Sequence, residues 1–299
     1  MPHAPADPDL PERRRLLRQG AALIWAPAWL FPWGAQAQPP RADSPLVGVD
    51  PVLVQSGLTR QWEGAMRRDL GWAAQWAPQE SAQVLSQLEQ GQVDLGLFLT
   101  HPLADRLARD GLIHGRQSLA RTGICLVGPQ ADKAGIRGET DPARALSQVL
   151  AAHAAGAARW TPPPEGSALR AWADALTAGA VTRAAQTPRP GGAAPAATDA
   201  GSALAEPAYR LITQAQWRPP GAPGRKDRTA APAGGAERIW LSPQPRMHLD
   251  CEMARAFRTR HPGTQLLMKW LQGPLAQRAV RDPGSGWAPV PVSPGKDGA

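Results

Sequence analysis

The chain has 299 residues, 42% of them apolar, and a formal net charge of +8, long enough for two lobes with separate cores. The dense basic runs are Arg13-Arg14-Arg15 and Arg225-Lys226-Asp227-Arg228, and no zinc-finger spacing, RNA-binding signature or basic heptad helix accompanies them. Nucleic acid is therefore excluded as the partner, and the charge is read as a compositional bias towards Arg, Ala, Gly and Pro, with steering of an anionic ligand as the lesser reading.

The first element is an export signal over 1–37. Arg13-Arg14-Arg15 form a positive region resembling a twin-arginine motif, residues 20–33 are moderately apolar, and Ala35-Gln36-Ala37 supplies a small-residue cleavage site. The apolar stretch is too short and too broken by proline to span a bilayer, which needs about 20 apolar residues. Once this segment is cleaved, no later segment is expected to span a membrane, and the destination is the periplasm of a Gram-negative type cell.

Leu46-Val47-Gly48-Val49 reads as a strand. Ser56 is placed as the N-cap of a helix that puts Leu58, Trp62, Ala65 and Met66 on one face, closed by Gly71. Residues 72–76 are a second strand, Ser81 caps a second helix ending at Gly91, and 93–99 form a third, fully buried strand. This βαβαβ order favours a parallel sheet. A helix over 103–110, a buried strand over 123–129, helices at 142–154 and 167–178, a short strand at 209–212 and an extended run at 238–249 follow. One last helix over 263–281 aligns Leu267, Trp270, Leu271 and Leu275. The Pro/Gly-rich stretches 186–201 and 218–236 lack apolar periodicity and read as mobile loops.

Catalytic and metal chemistry find no foothold. GxSxG, HExxH, P-loop and GxGxxG motifs are absent, and the six histidines are dispersed, none of them paired with Cys or a carboxylate at ligand spacing. No catalytic residue, metal site or cofactor is assigned, and the chain is read as not an enzyme. His101 stands alone among the histidines in following a strand's carboxyl end.

Several runs resemble the tungstate-binding, extracytoplasmic components of ABC importers. They are Asp94 to Leu99, Asp110-Gly111, Val127-Gly128-Pro129 and Ala134-Gly135-Ile136-Arg137-Gly138, with weaker echoes in Gln55-Ser56-Gly57-Leu58, Ala208-Tyr209, Trp217 and Lys269-Trp270-Leu271. The resemblance is specific over 92–138 and thin elsewhere. It implies an α/β, two-lobed type II periplasmic-binding-protein fold with two crossover hinge strands. Lobe one would be 45–122 plus 252–299, and lobe two 123–251, with the ligand held between them. It also implies that the two crossover strands run side by side, bringing Cys125 and Cys251 within reach of a disulfide; two buried reduced thiols fit the sequence equally well.

The family implied by the resemblance grips an oxyanion with Ser and Thr hydroxyls, helix-start N–H groups and an Arg. At the matching positions Val49-Asp50-Pro51-Val52 has lost the hydroxyls, Pro51 has no N–H, and Asp50 adds a negative charge. At ~4 Å and an effective dielectric of ~20 that repulsion is about 4 kcal/mol, or about a thousandfold in affinity. Asp50 reads either as a site carboxylate or as a turn-forming Asp before proline. Ser81 and Gln83 in the first lobe, and Thr161, Ser167 and Arg170 in the second, complete the candidate ligand-binding set. Ser81, Thr161 and Ser167 fit helix-start structure as well. Two functions follow: a solute-binding protein that captures a small molecule or ion between its lobes, a ligand that need not be an oxyanion, with an ABC permease as partner, or a binding-protein fold that has lost ligand capture and serves as a sensor or protein-interaction module.

Overall fold

The computed structural model describes residues 44–185, 208–217, 237–259, 261–282 and 284–290, with the side chains of 180–185 excepted. The export segment and both Pro/Gly-rich stretches expected from the sequence lie outside the described residues. In the described chain no helix is long and apolar enough to cross a membrane.

Three strands open the fold: β1 (Leu46–Val49), β2 (Gln75–Pro78) and β3 (Leu95–Leu99). β1 pairs in parallel with both of the others, as the alternating order of strands and helices requires. Between them lie α1 (Pro51–Gln55), α2 (Leu58–Asp69) and α3 (Ser81–Gln90). β3 is buried along its whole length. One face meets Trp62 and Met66 of α2 in the main core, and the other, through Phe98, meets Val84, Leu85 and Leu88 of α3. Burial on both faces explains the unbroken apolar run from Leu95 to Leu99. Gly96 makes the close approach of α3 possible, because a Cβ there would lie 2.5 Å from Leu88 Cδ1.

After α4 (Pro102–Arg109), the 17-residue strand β4 (Ile113–Pro129) carries the chain from one half of the molecule to the other. Its first part pairs antiparallel with β8 (His248–Ala256), which itself pairs antiparallel with β3. Its last part pairs with β6 (Tyr209–Thr213) and β7 (Glu237–Leu241). The two-residue β5 (Trp160–Thr161) lies parallel to β6. The resulting order is β2-β1-β3-β8-β4-β6-β5, with β7 added to β4. Helices α5 (Pro142–Ala154) and α6 (Ala168–Ala185) belong to the β6 half, and α7 (Pro262–Gln272) and α8 (Pro274–Val280) pack beside α2.

Several expected elements shift. The single helix expected over 263–281 is two helices, because Pro274 has no N–H to continue the ladder and Gly273 leaves helical geometry at ψ 164°. The second strand begins at Gln75 instead of Trp72, and the strand expected over 123–129 extends back to Ile113. Ser56 ends α1 instead of starting α2, whose N-cap is Gly57.

The two crossover strands do run side by side, but the disulfide does not form: Cys125 and Cys251 are both free and buried. Cys251 stands opposite Ala120, and Cys125 lies five residues farther along β4, opposite Ile212. At ~3.3 Å per residue that offset is about 16 Å, well beyond the reach of a disulfide.

Candidate functional site

The parallel strands deliver three turns to one edge of their sheet, at Asp50, at Glu80-Ser81 and at Thr100-His101. Each turn starts a helix. Asp50 is the N-cap of α1, with Pro51 in the first helical position, where its missing N–H is not needed. Its backbone is locked to β3 by a hydrogen bond from Asp50 N–H to the Leu97 carbonyl, 2.8 Å long.

The Asp50 side chain is 1% exposed. One carboxylate oxygen accepts from Val52 N–H at 2.9 Å, and the other accepts from the Ser81 hydroxyl at 2.6 Å. Ser81 N–H also lies beside the carboxylate. Burial pushes the carboxyl above the ordinary Asp value; the Ser81 hydroxyl and the two N–H groups pull it back without cancelling the shift. Glu80, the N-cap of α3, is also raised, first by burial and then by the negative charge of Asp50.

Ser81 is thus the first residue of α3 and not its cap. Its hydroxyl accepts from Leu99 N–H at 2.9 Å, which leaves its proton to point at Asp50. The other donors of the α3 start are also spent. Ala82 N–H reaches across to the Gly166 carbonyl at 3.0 Å, and Gln83 N–H returns to the Glu80 carbonyl at 2.8 Å. The Gln83 side chain is exposed.

Across from this edge, β5 ends in the proline loop that leads to α6. A cavity of about 390 Å³ opens there, lined by His101 from the β3 side and by Glu165, Gly166, Ser167, Arg170, Ala171 and Asp174 from the α6 side. His101 caps α4, its Nδ1 accepting from Leu103 N–H at 3.2 Å. That bond leaves the ring proton on Nε2, and burial lowers the pKa of the ring, so the imidazole is kept neutral. Ser167 is committed to the start of α6: its hydroxyl donates to the Pro164 carbonyl at 2.7 Å and accepts from Arg170 N–H at 3.2 Å. Arg170 is held by Asp174 one turn on, with both carboxylate oxygens 3.1 Å from Nε.

Of the six candidate residues, Ser167 and Arg170 line the cavity. Asp50 and Ser81 form a sealed pair, and Gln83 and Thr161 are exposed outside the lining. Sequence reading missed Glu80, Glu165 and Asp174. Asp174 was legible as the i+4 partner of Arg170; nothing in the sequence singled out the other two.

No family model matches the chain, and no curated protein matches it in sequence. Solved structures do. The tungstate ABC transporter structure from Geobacter sulfurreducens superposes with a TM-score of 0.59 at 17% identity, covering 80% of this chain and 98% of that one. The tungstate-binding protein from Desulfovibrio alaskensis gives 0.56 at 16%, covering 81% and 94%. The fold is that of type II periplasmic binding proteins. At such identities the likeness speaks for the fold. In this type II fold, the cavity beside His101 has walls from both halves, and β4 and β8 join the halves.

Proposed function

We propose that the chain is an extracytoplasmic solute-binding protein that captures a small polar ligand, neutral or cationic, between two lobes, 45–122 with 252–299 and 123–251, for delivery to an ABC permease. The observation that carries this reading is the cavity itself, which draws one wall from the carboxyl end of β3 and the other from the start of α6. Ligands of open α/β sheets lie at that edge.

The polar groups on the cavity define the ligand class. Glu165 and His101 Nε2–H offer an acceptor and a neutral donor, and Arg170 is already neutralised by Asp174. The half-buried Glu80 packs against Gly166 of the lining, where a Cβ would lie 3.8 Å from its own, and the buried Asp50 is bonded to the adjacent Ser81. An oxyanion would meet negative charge on this side and find the α3 donors already taken. A cation-bearing or hydroxyl-rich ligand meets neither obstacle. Binding, rather than catalysis, suits a lining whose Ser167 hydroxyl is committed to the backbone at the start of α6.

A thermal-shift screen of the exported protein against amines, amino acids, sugars and oxyanions tests the reading. A ligand that binds only the folded state raises the melting temperature, by about 2.7 kcal/mol of stabilisation at a hundred times its Kd. The expected hit comes from the neutral or cationic classes, and Glu165→Ala or His101→Ala weakens it by about tenfold without changing the melting temperature of the ligand-free protein by more than a few degrees. Hits among the oxyanions alone would overturn it.

A further inference from the structure

We propose that Ser285 to Ala288 form a lock on the hinge: the segment holds the two halves at one angle, so that the cleft is shaped before anything enters it, and releasing the segment lets the halves swing. The lock rests on the type II fold and on contacts at the hinge, and is independent of which ligand the cleft takes.

The segment is fastened to the half that carries β1 to β3. Ser285 Oγ donates to the Val280 carbonyl at the end of α8 at 3.4 Å and accepts from Trp287 N–H at 3.1 Å. The Trp287 ring is buried in the main core, and its Nε1–H donates to Ser56 Oγ at the end of α1 at 3.1 Å. The same segment bears on the hinge strand and on the other half. Arg121 and Ala288 exchange two backbone bonds, of 2.7 and 2.8 Å, close to where β4 leaves β8 and joins β6. Beside them the buried Thr122 hydroxyl donates to the Gly286 carbonyl at 3.0 Å and accepts at 3.1 Å from Ala215 N–H, in the turn after β6. One hydroxyl thus ties the segment, the hinge strand and the second half together. Gly286 has φ +70°, and a Cβ there would lie 2.6 Å from Ala215 Cα and from the Gln214 carbonyl oxygen, so backbone lies directly on backbone. Gln216 of that turn donates from Nε2 to Gln55 Oε1 at 2.6 Å, a further tie between the halves.

Hinge rotation moves the halves about this point. Rotation that presses the Gln214-Ala215 turn onto Gly286 is stopped by backbone atoms, with no side chain to yield. Rotation that draws the turn away parts Thr122 from Ala215 or from Gly286, and leaves a buried N–H or carbonyl without its partner. Two crossing strands leave such a rotation open; a third segment wedged beside them selects one angle. A cleft held at that angle needs less ordering when its ligand binds.

The experiment is a distance measurement between spin labels on chain dialysed free of small molecules. The labels are placed through Glu89→Cys on α3 and Gln148→Cys on α5, both exposed, while the buried native cysteines stay unlabelled. With the segment intact, one narrow distance distribution is expected. Ending the chain after Gly284 is expected to widen it and to move its mean by about 5 Å, the displacement of a ~15° rotation on a domain-sized arm of ~20 Å. The double variant Thr122→Val/Trp287→Phe keeps an aromatic ring in the core but drops the bonds to Gly286, Ala215 and Ser56, and is expected to widen the distribution in the same sense. It decides the matter should the shortened chain fail to fold. A broad distribution with the segment intact, or a distribution that neither variant changes, overturns the proposal. No ligand is added at any stage, so failure of the lock leaves the reading of the cavity standing, and failure of the ligand screen leaves the lock standing.

Discussion

At the scale of the residue, Asp50 decides the chemistry of the sheet edge, and its protonation should be visible in stability. Burial outweighs three hydrogen-bond donors and holds its pKa in the folded chain above the ordinary Asp value. The folded state therefore binds this proton more tightly than the unfolded state does. The stabilisation is fully present below the unfolded pKa and is lost as pH rises through the folded pKa. Glu80, raised in part by Asp50, acts in the same direction. The stability advantage of wild type over Asp50→Ala should thus be larger at pH 4 than at pH 7, measured by denaturant unfolding at both. A gap that widens towards pH 7 would contradict the assignment. The sequence shows Asp50 before a proline and at a strand's end, so its capping role and its proximity to the site were both legible. Its bond to Ser81 was not, because these two residues, 31 positions apart in the chain, meet only when β1 and β2 pair.

At the scale of the element, helices and strands with strong periodicity or capping residues were readable, and those shaped by tertiary contacts were not. The apolar face of α2 and the buried run of β3 announce themselves. The first part of β4 does not: between buried Ile113 and buried Leu119 no residue from His114 to Ser118 is buried, so no strand periodicity shows, and its strand character comes from pairing with β8. Arg116 bridges Glu252 on β8 and Asp105 on α4, a set of charges no local pattern reveals. The loop before α6 offers a sharper test. Gly166 has φ +76°, a Cβ there would lie 3.3 Å from that of Ala82, and its carbonyl accepts Ala82 N–H. Gly166→Ala is expected to destabilise by about 1 kcal/mol or more, through left-handed strain and pressure on the start of α3. Unchanged unfolding of this variant would show that the loop does not hold that position against α3.

At the scale of the whole molecule, β4 and β8 join the two halves, and a segment near the carboxyl terminus straps across them. Arg121 pairs with Ala288, Thr122 Oγ donates to the Gly286 carbonyl at 3.0 Å, and Trp287 Nε1 donates to Ser56 Oγ at 3.1 Å. The cysteines sit on these two strands without cross-linking them. Burial pushes the Cys125 thiol up to about 11 and also raises the Cys251 thiol well above its ordinary value, with the neighbouring charge of Asp50 adding to the latter, so both are poor thiolates. Thiol titration in denaturant without reductant should find two free thiols per chain; none would restore the disulfide that the strand register excludes. The two-lobed fold was legible from resemblance over 92–138, whereas the cavity lining of Glu165 and Asp174 was not, because it forms only when the start of α6 faces His101.

The central claim of the proposal is that the cleft takes a neutral or cationic ligand and not a metal oxyanion, because Glu165 lines it and the carboxylates of Glu80 and Asp50 stand near its Gly166 wall. Isothermal titration calorimetry of the wild-type protein with tungstate tests it most directly. The account predicts no binding heat up to millimolar tungstate; a saturable isotherm with one site and a micromolar or tighter Kd would contradict it.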